Sequence, residues 1–170
     1  GYSRMIGANA FNPDGKLLLQ GDASGKIRIR DVQKHGYRAS IQGHTGPIWV
    51  IAFSPNGKTF ATAGDDRSIR LWDMDSLNCI KTYSGFRGPL FSMAFNQDGT
   101  MLATGGISHR IRLWDATPEG STLELGRLET HDDVWSLAFD SSCETLVSGH
   151  TNGTVTVWDL KSTSKKFVLP

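Results

Sequence analysis

Three side chains in one short stretch could form a hydrolytic relay: Thr62 as hydroxyl nucleophile, His44 as base and Asp66 as the carboxylate that orients it. A threonine used in that way must stand exposed beside donors for an oxyanion. Whether this is chemistry therefore depends on where Thr62 lies. The other reactive residues are scattered. His35, His109 and His150 lack metal-ligand spacing. Cys79 and Cys143 lie far apart with no paired-cysteine motif, which argues against a zinc set or a disulfide framework and fits a reducing compartment. GGISHRIR (105–112) has glycines but not the spacing, lysine or following helix of a phosphate loop. No metal and no cofactor are expected.

Composition narrows the partners. The chain has 170 residues, with 18 Lys plus Arg against 17 Asp plus Glu, so no global field draws it to nucleic acid or an anionic membrane. Arg28, Arg70 and Arg112 recur at equivalent places, but their apolar stems can pack while the guanidinium groups reach water. No apolar run approaches the ~18 residues of a membrane span, and the N-terminus lacks signal-peptide design. The expectation is a soluble cytoplasmic protein, with the nucleus as the alternative location.

The elements that must carry these residues repeat. Four similar tetrapeptides, RIRD, RLWD, RLWD and TVWD, end at Asp31, Asp73, Asp115 and Asp159, in steps of 42, 42 and 44 residues. Four first strands align as MIGANAF (5–11), PIWVIAF (47–53), PLFSMAF (89–95) and DVWSLAF (133–139). Turns follow, with Gly15, Gly57 and Gly99 at the position suited to positive φ and Cys143 there in the fourth copy. Second strands read LLLQG, TFATAG, MLATGG and TLVSGH, and third strands IRIRD, IRLWD, IRLWD and VTVWD, with the two-residue period of β structure. A more polar fourth strand runs through YRASIQ, NCIKTY, TLELGRLE and KKFVL. Each unit reads as a four-stranded antiparallel meander whose two apolar faces must be covered by neighbours.

With GH at 43–44, WD at 72–73, the AFSPNGK run and this period, nearly the whole chain resembles the WD-repeat family of β-propellers. The resemblance implies an all-β propeller segment over residues 1–170, in blades at about 4–42, 43–84, 85–130 and 131–170. It also implies that His44, Thr62, Asp66 and Trp72 form a structural hydrogen-bonded tetrad, in which the threonine hydroxyl serves the indole rather than a substrate. By the same alignment the third repeat offers Phe86, Thr104, Ser108 and Trp114. The fourth offers His131, Ser148, Asn152 and Trp158, and the first Tyr2, Gln20, Ser24 and Arg30. Arg30 in place of tryptophan suggests an outer side that meets something more polar.

Family binding faces, carried over position by position, select Met5, Pro47, Pro89 and Asp133, then Gly7, Trp49, Phe91 and Trp135, then Ala23, Asp65, Ile107 and Thr151. Three of the second group are large aromatics, the residue type that anchors protein interfaces. The leading expectation is a non-catalytic scaffold for protein or peptide partners. The alternatives are a sensor or autoinhibitory repeat domain of a larger signalling ATPase, and a propeller-based hydrolase. Four units make about half a ring of the usual size. Closure is expected from a second copy, another chain or missing blades, and the start at Gly1 just before a first strand favours a segment of a longer propeller.

Overall fold

A computed structural model describes residues 6–170, so Tyr2 and Met5 lie outside the described residues. Sixteen strands form four antiparallel sheets in sequence order, each strand paired with the next in its sheet, and no helix occurs among the described residues. The first sheet comprises β1 (Ile6–Phe11), β2 (Leu17–Asp22), β3 (Lys26–Asp31) and β4 (Gly36–Gln42). The second has β5 (Ile48–Phe53), β6 (Thr59–Gly64), β7 (Ile69–Asp73) and β8 (Cys79–Tyr83). The third has β9 (Leu90–Phe95), β10 (Met101–Gly106), β11 (Arg110–Asp115) and β12 (Glu124–Glu129). The fourth has β13 (Val134–Phe139), β14 (Thr145–His150), β15 (Val155–Asp159) and β16 (Ser164–Leu169). The all-β meanders expected from the repeat are thus present.

The chain divides into two compact units, residues 1–86 and 87–170, each with two sheets. In the first, Leu17, Leu19, Ile27 and Ile29 of the first sheet pack against Ile51, Phe60 and Trp72 of the second. Phe60 and Trp72 stack at 6.0 Å. In the second unit, Ala103, Ile111, Leu113 and Leu128 of the third sheet pack against Leu146 and Trp158 of the fourth. Burying each large apolar side chain contributes about 1.5–3 kcal/mol, which is why sheets with two greasy faces stack.

Backbone conformation repeats more faithfully than residue type. Gly15, Gly57 and Gly99 have φ of 71°, 69° and 75°, and Cys143 adopts 61° at the same place. The fourth strand of every sheet carries a register shift that leaves one extra residue, namely Arg38, Ile80, Leu125 and Lys166. Such bulges twist an outer strand away from pairing with another edge.

Candidate functional site

The possible triad resolves into a buried lock. Thr62 and the His44 side chain are both 0% exposed. Trp72 Nε1–H donates to Thr62 Oγ1 at 2.9 Å, the Thr62 hydroxyl donates to His44 Nε2 at 2.7 Å, and His44 Nδ1–H donates to Asp66 at 2.9 Å. This tautomer uses every donor once. A protonated imidazole would offer a second N–H to Thr62 and leave the hydroxyl hydrogen without an acceptor. Burial is the largest influence on His44 and lowers its pKa, while Asp66 pulls the other way. Burial would raise Asp66, but hydrogen bonds from Ser68 and His44 outweigh it and hold the carboxyl below its ordinary range.

The other sheets keep the first bond and vary the rest. In each, a third-strand donor reaches an acceptor ten residues earlier. Trp114 bonds Thr104 at 2.9 Å, Trp158 bonds Ser148 at 2.8 Å, and Arg30 Nε bonds Gln20 Oε1 at 2.7 Å. The fourth sheet departs from the sequence expectation. His131 is exposed, and His150 Nε2 instead accepts from Ser148 Oγ at 2.8 Å. The reason is Gly64: a Cβ there would stand 2.7 Å from His44 Nδ1, so the absent side chain makes room for the ring. His150 holds the equivalent place in the fourth repeat and fills that room itself. Asn152, expected in the acid's place, donates to Asp132 instead.

One further residue, Asp22, carries no signature among the repeat motifs. Asp22 is fully buried, takes Ser24 Oγ at 2.6 Å and pairs with Arg28. Its carboxyl would be raised by burial, but the Ser24, Lys26 and Arg28 hydrogen bonds prevail and lower it. Arg28, Arg70 and Arg112 do not simply reach water: they pair with Asp22, Asp66 and Glu124, the last two at 3.9 and 3.4 Å. For Asp22 the available signal was an acid directly after Gly21 and ahead of Arg28 in the same hairpin.

The candidate binding residues gather at the first strand of each sheet. Pairing skips one residue there, and the skipped residues are Gly7, Trp49, Phe91 and Trp135. A bulge re-aims its side chain, which accounts for Trp49 and Trp135 being 45% and 56% exposed. The carbonyl just before β5, β9 and β13 accepts from the loop after the second strand of the same sheet: Pro47 from Asp65, Pro89 from Ile107, and Asp133 from Thr151, at 2.8, 3.4 and 3.2 Å. In the first unit Trp49 Nε1 donates to Asp65 Oδ1 at 3.3 Å. In the second, Phe91 and Trp135 stack at 4.6 Å with an 18° interplanar angle, Ile107 is exposed, and His109 faces Asp133 at 3.3 Å. Met5 lies outside the described residues.

Residues 36–73, 77–115 and 123–159, about two thirds of the chain, match the family described as WD domain, G-beta repeat (WD40). The chain belongs to the WD40 family. The matched segments end at Asp73, Asp115 and Asp159, so the WD40 repeats are those that end in Trp-Asp, and the Arg30 copy falls outside them. WD repeat-containing protein 91 of Rattus norvegicus is 41% identical to it over 46 residues, which is 27% of this chain and 6% of that protein. WD40 repeats generally serve as scaffolds for protein interaction.

Proposed function

We propose that this WD40 chain is a non-catalytic scaffold that holds a protein or peptide through the aromatic residues at its first-strand bulges. The supporting observation is the Phe91–Trp135 stack, two large rings in contact at 4.6 Å with Trp135 more than half exposed. Aromatic anchors bring large contact area with little side-chain entropy to lose. Asp65 beside Trp49, and the facing pair His109 and Asp133, supply polar groups for orientation. The hydrolase reading loses support, because its nucleophile Thr62 is enclosed and already accepts an indole N–H.

The test is capture of binding proteins by wild type and by the Trp49→Ala, Phe91→Ala, Trp135→Ala variant, with circular dichroism to establish folding. The variant is expected to lose at least about tenfold in affinity for a captured partner, as interface aromatics commonly do. Unchanged capture by a folded variant rejects the proposal.

A further inference from the structure

In every sheet one third-strand residue stands directly opposite the second-strand residue that accepts the bond from tryptophan or Arg30. It is Arg28, Arg70 and Arg112 in the first three sheets, facing Gln20, Thr62 and Thr104, and Thr156 in the fourth, facing Ser148. The three arginine side chains are largely enclosed, between 10% and 29% exposed. Each meets a carboxylate that comes from a different place: Asp22 at the end of β2, Asp66 in the turn after β6 and Glu124 on β12. In the third sheet the indole is a second surface, with Arg112 Cζ 5.9 Å from the Trp114 ring centroid. A guanidinium suits such a slot because it is planar, stacks on aromatic faces and offers paired N–H donors to a carboxylate.

The fourth sheet keeps the slot and lacks the arginine. A threonine in an arginine's place leaves space that its surroundings fill only in part. A cleft of about 130 Å³ lies there, lined by Trp158 and Val168 and by Thr156, Thr154, Asn152 and Asp132. The carboxylate is present as well. Asp132, from the connection between β12 and β13, accepts Asn152 Nδ2–H at 2.6 Å and pairs with no lysine or arginine among the described residues. Burial lowers the pKa of His150 from 6.5, so that ring brings no positive charge to the cleft at neutral pH.

One cation does reach this indole. Exposed Lys165, opposite Trp158 on β16, sets its Nζ 5.5 Å from the ring centroid. An ammonium on a flexible stem is a point charge without a planar fork, and the cleft is what remains with Lys165 in that position.

We propose that this cleft binds a guanidinium group supplied from outside the chain, in the position that Arg28, Arg70 and Arg112 hold in their own sheets. The group lies against Trp158, displaces the Lys165 ammonium from the ring and donates to Asp132 and the Thr156 hydroxyl. Its source is a free arginine-like molecule or an arginine side chain of a peptide, with the same chemistry at the cleft. None of the first-strand aromatics takes part, so the scaffold reading and this site stand or fail separately.

The test follows the Trp158 indole N–H signal by NMR while the chain is titrated with N-acetyl-arginine amide, with N-acetyl-lysine amide as the control. A saturable shift is expected, with the arginine compound bound about tenfold or more tighter than the lysine compound. Asp132→Asn is expected to weaken binding about tenfold or more, and Lys165→Ala to strengthen it by removing the competing ammonium. Thr156→Arg is expected to abolish binding by filling the cleft from within. Should that variant fail to fold by circular dichroism, Val168→Trp closes the same cleft in its place. Water alone in the cleft, read as no saturable shift, overturns the proposal. So does equal binding of the lysine compound, or binding that survives both Asp132→Asn and the filled cleft. A capped Gly-Arg-Gly peptide then assigns the source: tighter binding than the amide points to a protein partner and equal binding to a small molecule, and both uphold the site.

Discussion

The second and fourth sheets both set a histidine behind a buried indole, but the two rings arrive from opposite directions. His44 comes from the segment before β5 and enters the space that Gly64 leaves empty, with Asp66 receiving its other proton. His150 grows from the matching position on the second strand, so its ring occupies that space from within and the entering histidine, His131, stays outside. The comparison teaches that the buried hydroxyl between indole and imidazole is the constant. Which residue supplies the imidazole is decided by a single missing Cβ.

The harshest way to break the comparison is to give Gly64 a side chain. Gly64→Ala puts a carbon against a ring that is already bonded at both ends, so His44 must leave Thr62 or Asp66. The expected cost is about 2–3 kcal/mol, in the range of an overpacked core. His150→Ala in the fourth sheet removes a half-buried ring and one hydrogen bond, with an expected cost of about 1 kcal/mol. Urea unfolding of the two variants measures both, and equal losses would contradict the different origins assigned to the two rings.

Acid comes next. Burial lowers the pKa of both His44 and His150 from the ordinary 6.5, so the folded chain holds them neutral where the unfolded chain takes protons. Their contribution is therefore complete above 6.5 and is lost as pH falls below it towards the lower native values. Asp66, lowered from 3.8, contributes above that value and is lost only as pH falls further. The urea midpoint is expected to drop between about pH 7.5 and about pH 5.5, and His150→Ala is expected to make that slope shallower. A flat profile in this window would mean that neither ring is held neutral by the fold.

Much of this architecture was readable because apolar alternation and glycine turns mark strand after strand. Strand ends agree with the expected ones to within a residue or two. The bulges that turn Trp49, Phe91 and Trp135 outward were not readable, because a skipped partner depends on the neighbouring strand and leaves no residue signature. Positive φ shows the same limit. Gly25 and Gly153 share φ near 80° and 86° with Arg67 and His109 at 59° and 54°, one equivalent place in four repeats. His35, Leu77 and Thr163 repeat another such turn at 50°, 59° and 50°. Neighbouring strands impose these conformations on residues that do not prefer them. The carboxylates were misjudged for a related reason. Asp22 was passed over in favour of Ser24, although the fold buries Asp22 and has Ser24 donate to it.

The smallest effect sharpens the comparison at the turn after the first strand. Cys143 occupies the place of Gly15, Gly57 and Gly99 with φ of 61°, where an L side chain crowds its own backbone. Cys143→Gly relieves that strain, worth about 1–2 kcal/mol, but gives more freedom to the unfolded chain and removes the sulfur that accepts Gln97 N–H at 3.3 Å. The balance favours glycine by under about 1 kcal/mol, a small rise in the urea midpoint without a change in slope. The reverse change, Gly57→Cys, carries the strain with no such gain, because its Cβ would come 3.3 Å from Pro13 and offer nothing in return. If Cys143→Gly destabilised the fold, the sulfur contact rather than backbone geometry would govern that turn.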